Sequence, residues 1–196
     1  MKTLIFATNN VHKVEEIKSV LDDSFAIITL KEAGINIDIP EPHETLEENA
    51  QEKSRTIHKL TGKNCFSEDT GLEAAALNGE PGVRSARSAG DHADCKDNIE
   101  KLLENLKLGL SRNAQFRTVI SLILENSEHL FEGVCMGKIT QSLSGKNGFG
   151  YDPVFIPDGS DITFAEMSLE EKNKFSHRKK AVEKLQAFLK TYNGPE

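Results

Sequence analysis

Two late stretches, AQFRTVISLILE (114–125) and HLFEGVCMGKITQ (129–141), constrain the fold more than any other part of the chain. Both are rich in β-branched and aromatic residues and alternate in polarity, as strands with one buried face do. The short segment between them, centred on Asn126, closes a hairpin but is too short for a crossover, so the pair is antiparallel. The first part of the chain reads differently. Lys2 to Thr8 is a buried strand, after which Val11, Val14, Ile17, Val20 and Leu21 recur at helical spacing. A second strand near Phe25 to Leu30 leads into the proline-bracketed DIPEP. Thr45 with Glu48 then forms a capping box opening a helix to about Leu60. A further strand enters CFSEDTGL, an amphipathic helix runs from about Asp91 to Leu108, and a last helix puts Ala181, Val182, Leu185, Phe188 and Leu189 on one face. Strand–helix alternation early and a hairpin late predict an α/β fold, a mixed twisted sheet flanked by helices. With no repeat or linker, the 196 residues read as one domain, 1–196.

Charge narrows the partners. The net charge of −7 disfavours nucleic acid, so an anionic ligand must be drawn by local bases or a metal. Charges interrupt every apolar run, which argues against a membrane span, and MKTLIFATNN is too short in apolar residues for a secretory signal. The cytoplasm is the expected location. Cys65, Cys95 and Cys135 are an odd, scattered set that fits neither a disulfide framework nor a zinc knuckle, and they read as small buried thiols.

Several segments have the chemistry to meet the charge condition. ATNNVHK (7–13) ends a strand and begins a helix with Lys13 in its first turn, offering backbone N–H groups, a helix dipole and a full charge to an anion. An ordinary capped helix with a solvated lysine would read the same way. No GxxxxGK followed by Ser or Thr occurs. Lys53 lies on the buried seam of Leu46, Ala50, Ile57 and Leu60, where a lysine either snorkels to solvent or points into a polar cleft. Glu68 and Asp69 follow a strand, where α/β proteins collect ligands, and Glu41 lies on a loop stiffened by Pro40 and Pro42. Carboxylates from two loops, with phosphate oxygens and water, suit octahedral Mg²⁺; alternatively the adjacent acids cap a turn. KNGFGYDPVFIP (146–157) sets Phe149 and Tyr151 beside glycines, as a stacking site or a tight turn with core aromatics. In EKNKFSHRKKAVEKL (171–185), Lys172, Lys174, Arg178, Lys179 and Lys180 fall within nine residues with no acid among them. Ser168 with Glu171 forms a capping box, and Ser176 is a natural N-cap for the last helix. Bases in a first helical turn oppose the dipole, a cost that anion binding would offset; a solvated basic face is the other reading.

Taken in order, TNNVHK, SEDTGLEAAALNGEPGVRSAR, GFGYDPVF and FAEMSLEEKNKFSHR resemble the inosine triphosphate pyrophosphatases, the noncanonical purine nucleoside triphosphate pyrophosphatases. The resemblance runs almost end to end, and DTGL and GFGYDP are closer to the bacterial branch. It implies a homodimeric enzyme with a nucleotide-binding cleft between two lobes. Such an enzyme uses Mg²⁺ to hydrolyse ITP, dITP and XTP to the monophosphate and pyrophosphate, clearing them from the nucleotide pool. By the same resemblance Thr8, Asn9, Asn10, Val11, His12 and Lys13 line the triphosphate site, with Lys13 on phosphate. Asp69 is the proton acceptor and a metal ligand, Glu41 the second acid at the metal, and Thr70 a substrate contact. Phe149, Gly150, Tyr151, Asp152, Lys172, His177 and Arg178 surround the nucleotide, and Lys53 matches a family lysine. Glu68 is left open between metal ligand and supporting acid. Asn9 departs from a frequent glycine, and Arg84 stands where an aromatic or aliphatic residue is common.

Selectivity follows from the 6-oxo group of hypoxanthine and xanthine, which adenine lacks. Donors aimed at that oxygen are left unpaired by ATP. His177, Arg178 and nearby backbone N–H groups are the candidate donors, with Phe149 or Tyr151 stacking on the base. Two other functions fit a similar cleft: a pyrophosphatase for pyrimidine or modified nucleoside triphosphates, and a non-catalytic nucleotide-binding regulator.

Overall fold

The computed structural model describes residues 2–22, 25–107 and 110–192. Its elements are β1 (Lys2–Phe6), α1 (Val11–Lys18), β2 (Phe25–Thr29), α2 (Leu46–Thr61), β3 (Cys65–Ala74), β4 (Pro81–Gly82) and α3 (Cys95–Asn105). The remainder are β5 (Asn113–Leu124), β6 (Ser127–Ile139), β7 (Phe155–Pro157), α4 (Leu169–Lys172) and α5 (His177–Thr191). The long strands read from sequence are β5 and β6. Their turn, Glu125–Asn126, has φ of 51° and 66°, the left-handed pair that a two-residue hairpin turn matched to strand twist requires. The strands hydrogen-bond in the order β2-β1-β3-β5-β6-β7, with β4 on β3. β1 is parallel to β2 (Leu4 opposite Ile27) and to β3 (Phe6 opposite Phe66). β3/β4 and β6/β7 are antiparallel, so the sheet is mixed and the fold α/β.

The chain divides into two compact units. The first is Met1–Asp69, Thr118–Gly133 and Arg178–Glu196; the second is Thr70–Arg117 and Val134–His177. Within the first, β1 is covered on both faces, which is why it reads as a continuous apolar run. Leu4 and Phe6 join Ile17, Phe66, Ile120, Leu122, Ala181 and Leu185, under α1 and α5. Ile5 and Ala7 join Ile57, Cys65 and Ile123, under α2. The Phe6 and Phe66 rings stack at 4.5 Å. The second unit has its own core, in which Phe116, Phe155 and Phe164 pack with Leu72, Ile99 and Leu102.

The structure redraws several predicted seams. Val11 and Leu60, both assigned to buried helix faces, are exposed, because α1 and α2 turn these end residues to solvent. α1 stops at Lys18. The third helix begins at Cys95 rather than near Asp91, since Asp94 and Asp97 form a reciprocal capping box there, and its predicted end, Leu108, lies outside the described residues. Cys65 and Cys135 are buried and Cys95 is exposed, all as free thiols. Among the described residues no helix is long and apolar enough to cross a membrane.

Candidate active site

β1 ends at Phe6, and the polar residues after it form a tight corner. Asn10 caps α1, its Oδ1 accepting from the backbone N–H of His12 at 3.0 Å and of Lys13 at 3.2 Å. Thr8 Oγ1 accepts from the Asn10 N–H, and Asn9 Nδ2 donates to Ile37 O. Two amides that the sequence left open to an anion are therefore already capped, which leaves the Lys13 side chain as the corner's main attraction for phosphate.

Lys13 Nζ lies 2.9 Å from Glu68 Oε1, on a carboxylate whose side chain is fully buried. Arg178 closes on the same group, donating from Nε to Oε2 at 2.8 Å and from Nη2 to Oε1 at 3.2 Å, while its Nη1 donates to Glu16 Oε2. Burial alone would raise Glu68, but Arg178 and Lys13 outweigh it and hold the carboxyl well below the usual range. Burial likewise works against the Arg178 cation, and Glu68 and Glu16 reverse the balance in favour of charge. Glu68 thus acts as a buried counter-ion that joins two bases.

Beside it, Lys53 Nζ bridges Glu41 Oε1 at 2.5 Å and Asp69 Oδ1 at 3.0 Å. Burial disfavours this ammonium, yet Asp69 and Glu41 together raise its pKa. Lys53 therefore points into a polar site and does not snorkel outward. Asp69 shifts upward: burial raises it, Lys53 and Lys13 oppose, and the neighbouring charge of Glu41 adds to the rise. Its Oδ2 is buried and has no hydrogen-bond partner among the described residues. The loop carrying Glu41 is tied to α2 by Asn49, which is fully buried. Asn49 Oδ1 accepts from the His43 N–H at 3.0 Å and its Nδ2 donates to the His43 carbonyl at 3.1 Å. Ser67 Oγ donates to Ala50 O, fixing β3 to the same helix.

In this cluster Glu16, Glu41, Glu68 and Asp69 face Lys13, Lys53 and Arg178, acids and bases alternating in one buried network. Hard carboxylate oxygens and the orphaned Asp69 Oδ2 fit Mg²⁺. Among the described residues no group of three or more His, Cys, Asp or Glu could hold a metal by itself.

In the second unit the GFGYD turn is organised by Asp152. Its Oδ2 accepts from the Phe149 N–H at 2.8 Å and from Lys172 Nζ at 2.6 Å. Gly148 has φ of +72°, and a Cβ there would lie 2.0 Å from the same oxygen, so the turn requires glycine. Lys172 Nζ sits 5.3 Å from the Phe149 ring centroid and 5.1 Å from that of Phe164, within cation–π range. Tyr151 is buried and its hydroxyl donates to Ser85 O at 2.9 Å; burial pushes the phenol up to about 12. Phe149 and Gly150 are half-buried, whereas the Tyr151 ring is enclosed. His177 is buried with its ring stacked 4.7 Å from that of Phe116. Thr70, half-buried in β3, follows Asp69 directly.

The predicted residues thus fall into two groups. In the first unit Lys13, Glu41, Lys53, Asp69 and Arg178 make one ion network, flanked in sequence by Thr8 to His12; in the second, Phe149, Asp152 and Lys172 make another site. Arg178 directs its fork at carboxylates, where the sequence reading had it available to a base or phosphate. The run of five bases does not act as one surface: Lys172 and Arg178 turn inward, Lys174 and Lys180 stay exposed, and Lys179 pairs with Glu183. Glu16 and Asn49 had no assigned role in the sequence reading. The available signal for Glu16 was an acid beside Ile17, the most buried residue of α1.

Comparison with known proteins gives a consistent result. The model of the Ham1 family matches residues 4–188. A dITP/XTP pyrophosphatase of Porphyromonas gingivalis is 50% identical over 190 residues, covering 96% of this chain and 98% of that one. A dITP/XTP pyrophosphatase of Flavobacterium johnsoniae is 48% identical over 182 residues, covering 93% and 95%. Among solved structures, the Staphylococcus aureus Ham1 protein is 41% identical with a TM-score of 0.87, covering 96% of this chain and 98% of that one.

Proposed function

The chain belongs to the Ham1 family, and from that premise we propose that it hydrolyses dITP, XTP and ITP to the monophosphate and pyrophosphate. The observation that carries the chemistry is Asp69: buried, raised in pKa, paired through one oxygen to Lys53, with its other oxygen lacking a hydrogen-bond partner among the described residues. A carboxylate raised toward working pH makes a better general base than an ordinary one. Asp69 takes a proton from a water whose oxygen attacks the α-phosphorus; the bond to the bridging oxygen breaks and pyrophosphate leaves. Lys13 and Lys53 stabilise the phosphate charge that develops, from a buried site where such charges are weakly screened. Mg²⁺ held by Asp69 and Glu41 would neutralise charge on the leaving pyrophosphate. Glu68 keeps Lys13 oriented and is not itself exposed to the substrate. Phe149 stacks on the purine, and Lys172, held by Asp152, sets the charge beside it. The same premise carries a homodimer in the cytoplasm, to be checked by sedimentation and cell fractionation.

Pyrophosphate release across dITP, XTP, ITP, GTP, ATP, dTTP and UTP, with and without Mg²⁺, tests the proposal. Turnover should favour the 6-oxo purines lacking a 2-amino group and require the metal. Preference for a pyrimidine triphosphate, or binding without release, would overturn it.

A further inference from the structure

We propose that Lys53 makes metal and nucleotide binding interdependent: its ammonium is a built-in counter-ion for Glu41 and Asp69 that opposes a divalent cation there until a phosphate oxygen offers it another partner. The inference rests on the reading that Glu41 and Asp69 hold Mg²⁺. The two acids lie on separate segments, and a single atom, Lys53 Nζ, bridges them at 2.5 Å and 3.0 Å. The orphaned Asp69 Oδ2 belongs to a carboxylate whose other oxygen that ammonium already holds. A dication bound at Asp69 would therefore sit close to a fixed positive charge, in surroundings too buried for salt or water to screen the repulsion well.

Relief has one direction. The Lys53 side chain is 8% exposed, so the ammonium cannot simply turn to bulk water, and an unpaired charge in that setting is costly. Its helix does not yield either: Ser67 holds Ala50, and the hydroxyls of Ser54 and Ser121 meet at 2.7 Å. What moves is the side chain, and lysine suits this, being a point charge on a rotatable stem. Arg178 contrasts with it, its fork fixed on Glu68 and Glu16. Lys13 is anchored on Glu68 and acts on Asp69 only through its charge, so it leaves the Lys53 bridge in place. A nucleotide phosphate gives Lys53 a new anion and frees the acids for the metal. By linkage the metal must then strengthen nucleotide binding by the same factor.

Calorimetric titration of the full chain reads this directly, using Mg²⁺ alone and Mg²⁺ in the presence of α,β-methylene-ITP. For the wild type, the analogue should tighten Mg²⁺ about tenfold or more, within the usual range of coupling between sites. K53M should bind Mg²⁺ alone about tenfold more tightly than the wild type. The enhancement by analogue should be clearly smaller in K53M than in the wild type, the remainder being direct ligation of the ion by phosphate, whereas K53R, which keeps the charge, should retain it in full. K53Q serves as a second neutral variant, and circular dichroism checks the fold of each. Neutral variants that bind Mg²⁺ alone no more tightly than the wild type, or keep the full enhancement, overturn the coupling while leaving the parent reading intact. Metal-independent pyrophosphate release by the wild type would overturn both.

Discussion

Replacing Arg178 with methionine removes the cation from the most deeply buried part of the ion network while roughly keeping its volume. Arg178, Glu68 and Glu16 have side-chain exposures of 2%, 0% and 8%, so water cannot take over the solvation of the acids left behind. Breaking a buried ion pair from one side costs about 3–5 kcal/mol, out of a total stability of about 5–15 kcal/mol. A chain of this size loses about 2–4 °C of Tm per kcal/mol, so the expected fall is about 6–20 °C. Acidity provides the internal check. In the wild type Glu68 is held well below the usual carboxylate range, so its pairs contribute fully at neutral pH and are lost only as pH falls through that lowered value. In Arg178→Met, burial acts without the Arg178 charge to oppose it, Glu68 moves upward, and protonation relieves the penalty as pH falls. Urea unfolding at pH 7 and pH 5 should therefore show the gap between the two proteins narrowing at the lower pH. A loss below about 1 kcal/mol, or a gap that does not narrow, would refute the assignment of Arg178 as counter-ion to buried acids.

Asp69→Asn should lower kcat by about 10²–10⁴, the usual contribution of a positioned general base, and should raise Tm. The folded carboxyl binds its proton more readily than the unfolded one, so the ionised form costs stability above the usual carboxylate pKa and a neutral isostere removes that cost; unchanged turnover or a lower Tm would contradict the role. Asn49→Ala deletes both hydrogen bonds to His43 and should cost about 1–3 kcal/mol, with pyrophosphate release falling as the Glu41 loop loosens. Undiminished release from that variant would show that the loop is positioned by other contacts. Gly148→Ala places a Cβ against Asp152 at a left-handed φ and should cost about 1–3 kcal/mol. It should also weaken binding of α,β-methylene-ITP by disturbing Phe149 and Lys172, measurable in the same calorimeter.

The chain's local structure was legible because each piece is decided within a few residues. The capping box at Ser168/Glu171 is present as read, Thr45 caps α2 through the Glu48 N–H while its hydroxyl, not its backbone N–H, meets the Glu48 carboxylate, and the hairpin turns at Asn126. The α5 face of Ala181, Val182, Leu185 and Leu189 is buried as its period predicts. Lys53 stood out for a simple reason: a lysine on an apolar seam has few places to go. The less visible parts were those whose partners are distant. Asn10 drew attention as part of an anion corner, yet it caps the amides that an anion would need. Tyr151 looked like a stacking ring, but the Ser85 carbonyl that accepts from its hydroxyl lies 66 positions away.

By itself the sequence determined the longer elements, their order, the hairpin and the four motif blocks, since hydrophobic period, caps and turn residues act over one or two turns of chain; the short strands β4 and β7 were not legible. Tertiary structure alone decided which charges meet. Arg178 finds Glu68 at a separation of 110 residues and Glu16 at 162. No local rule reaches so far, because a buried charge is stable only where the whole fold brings an opposite one to hydrogen-bonding distance.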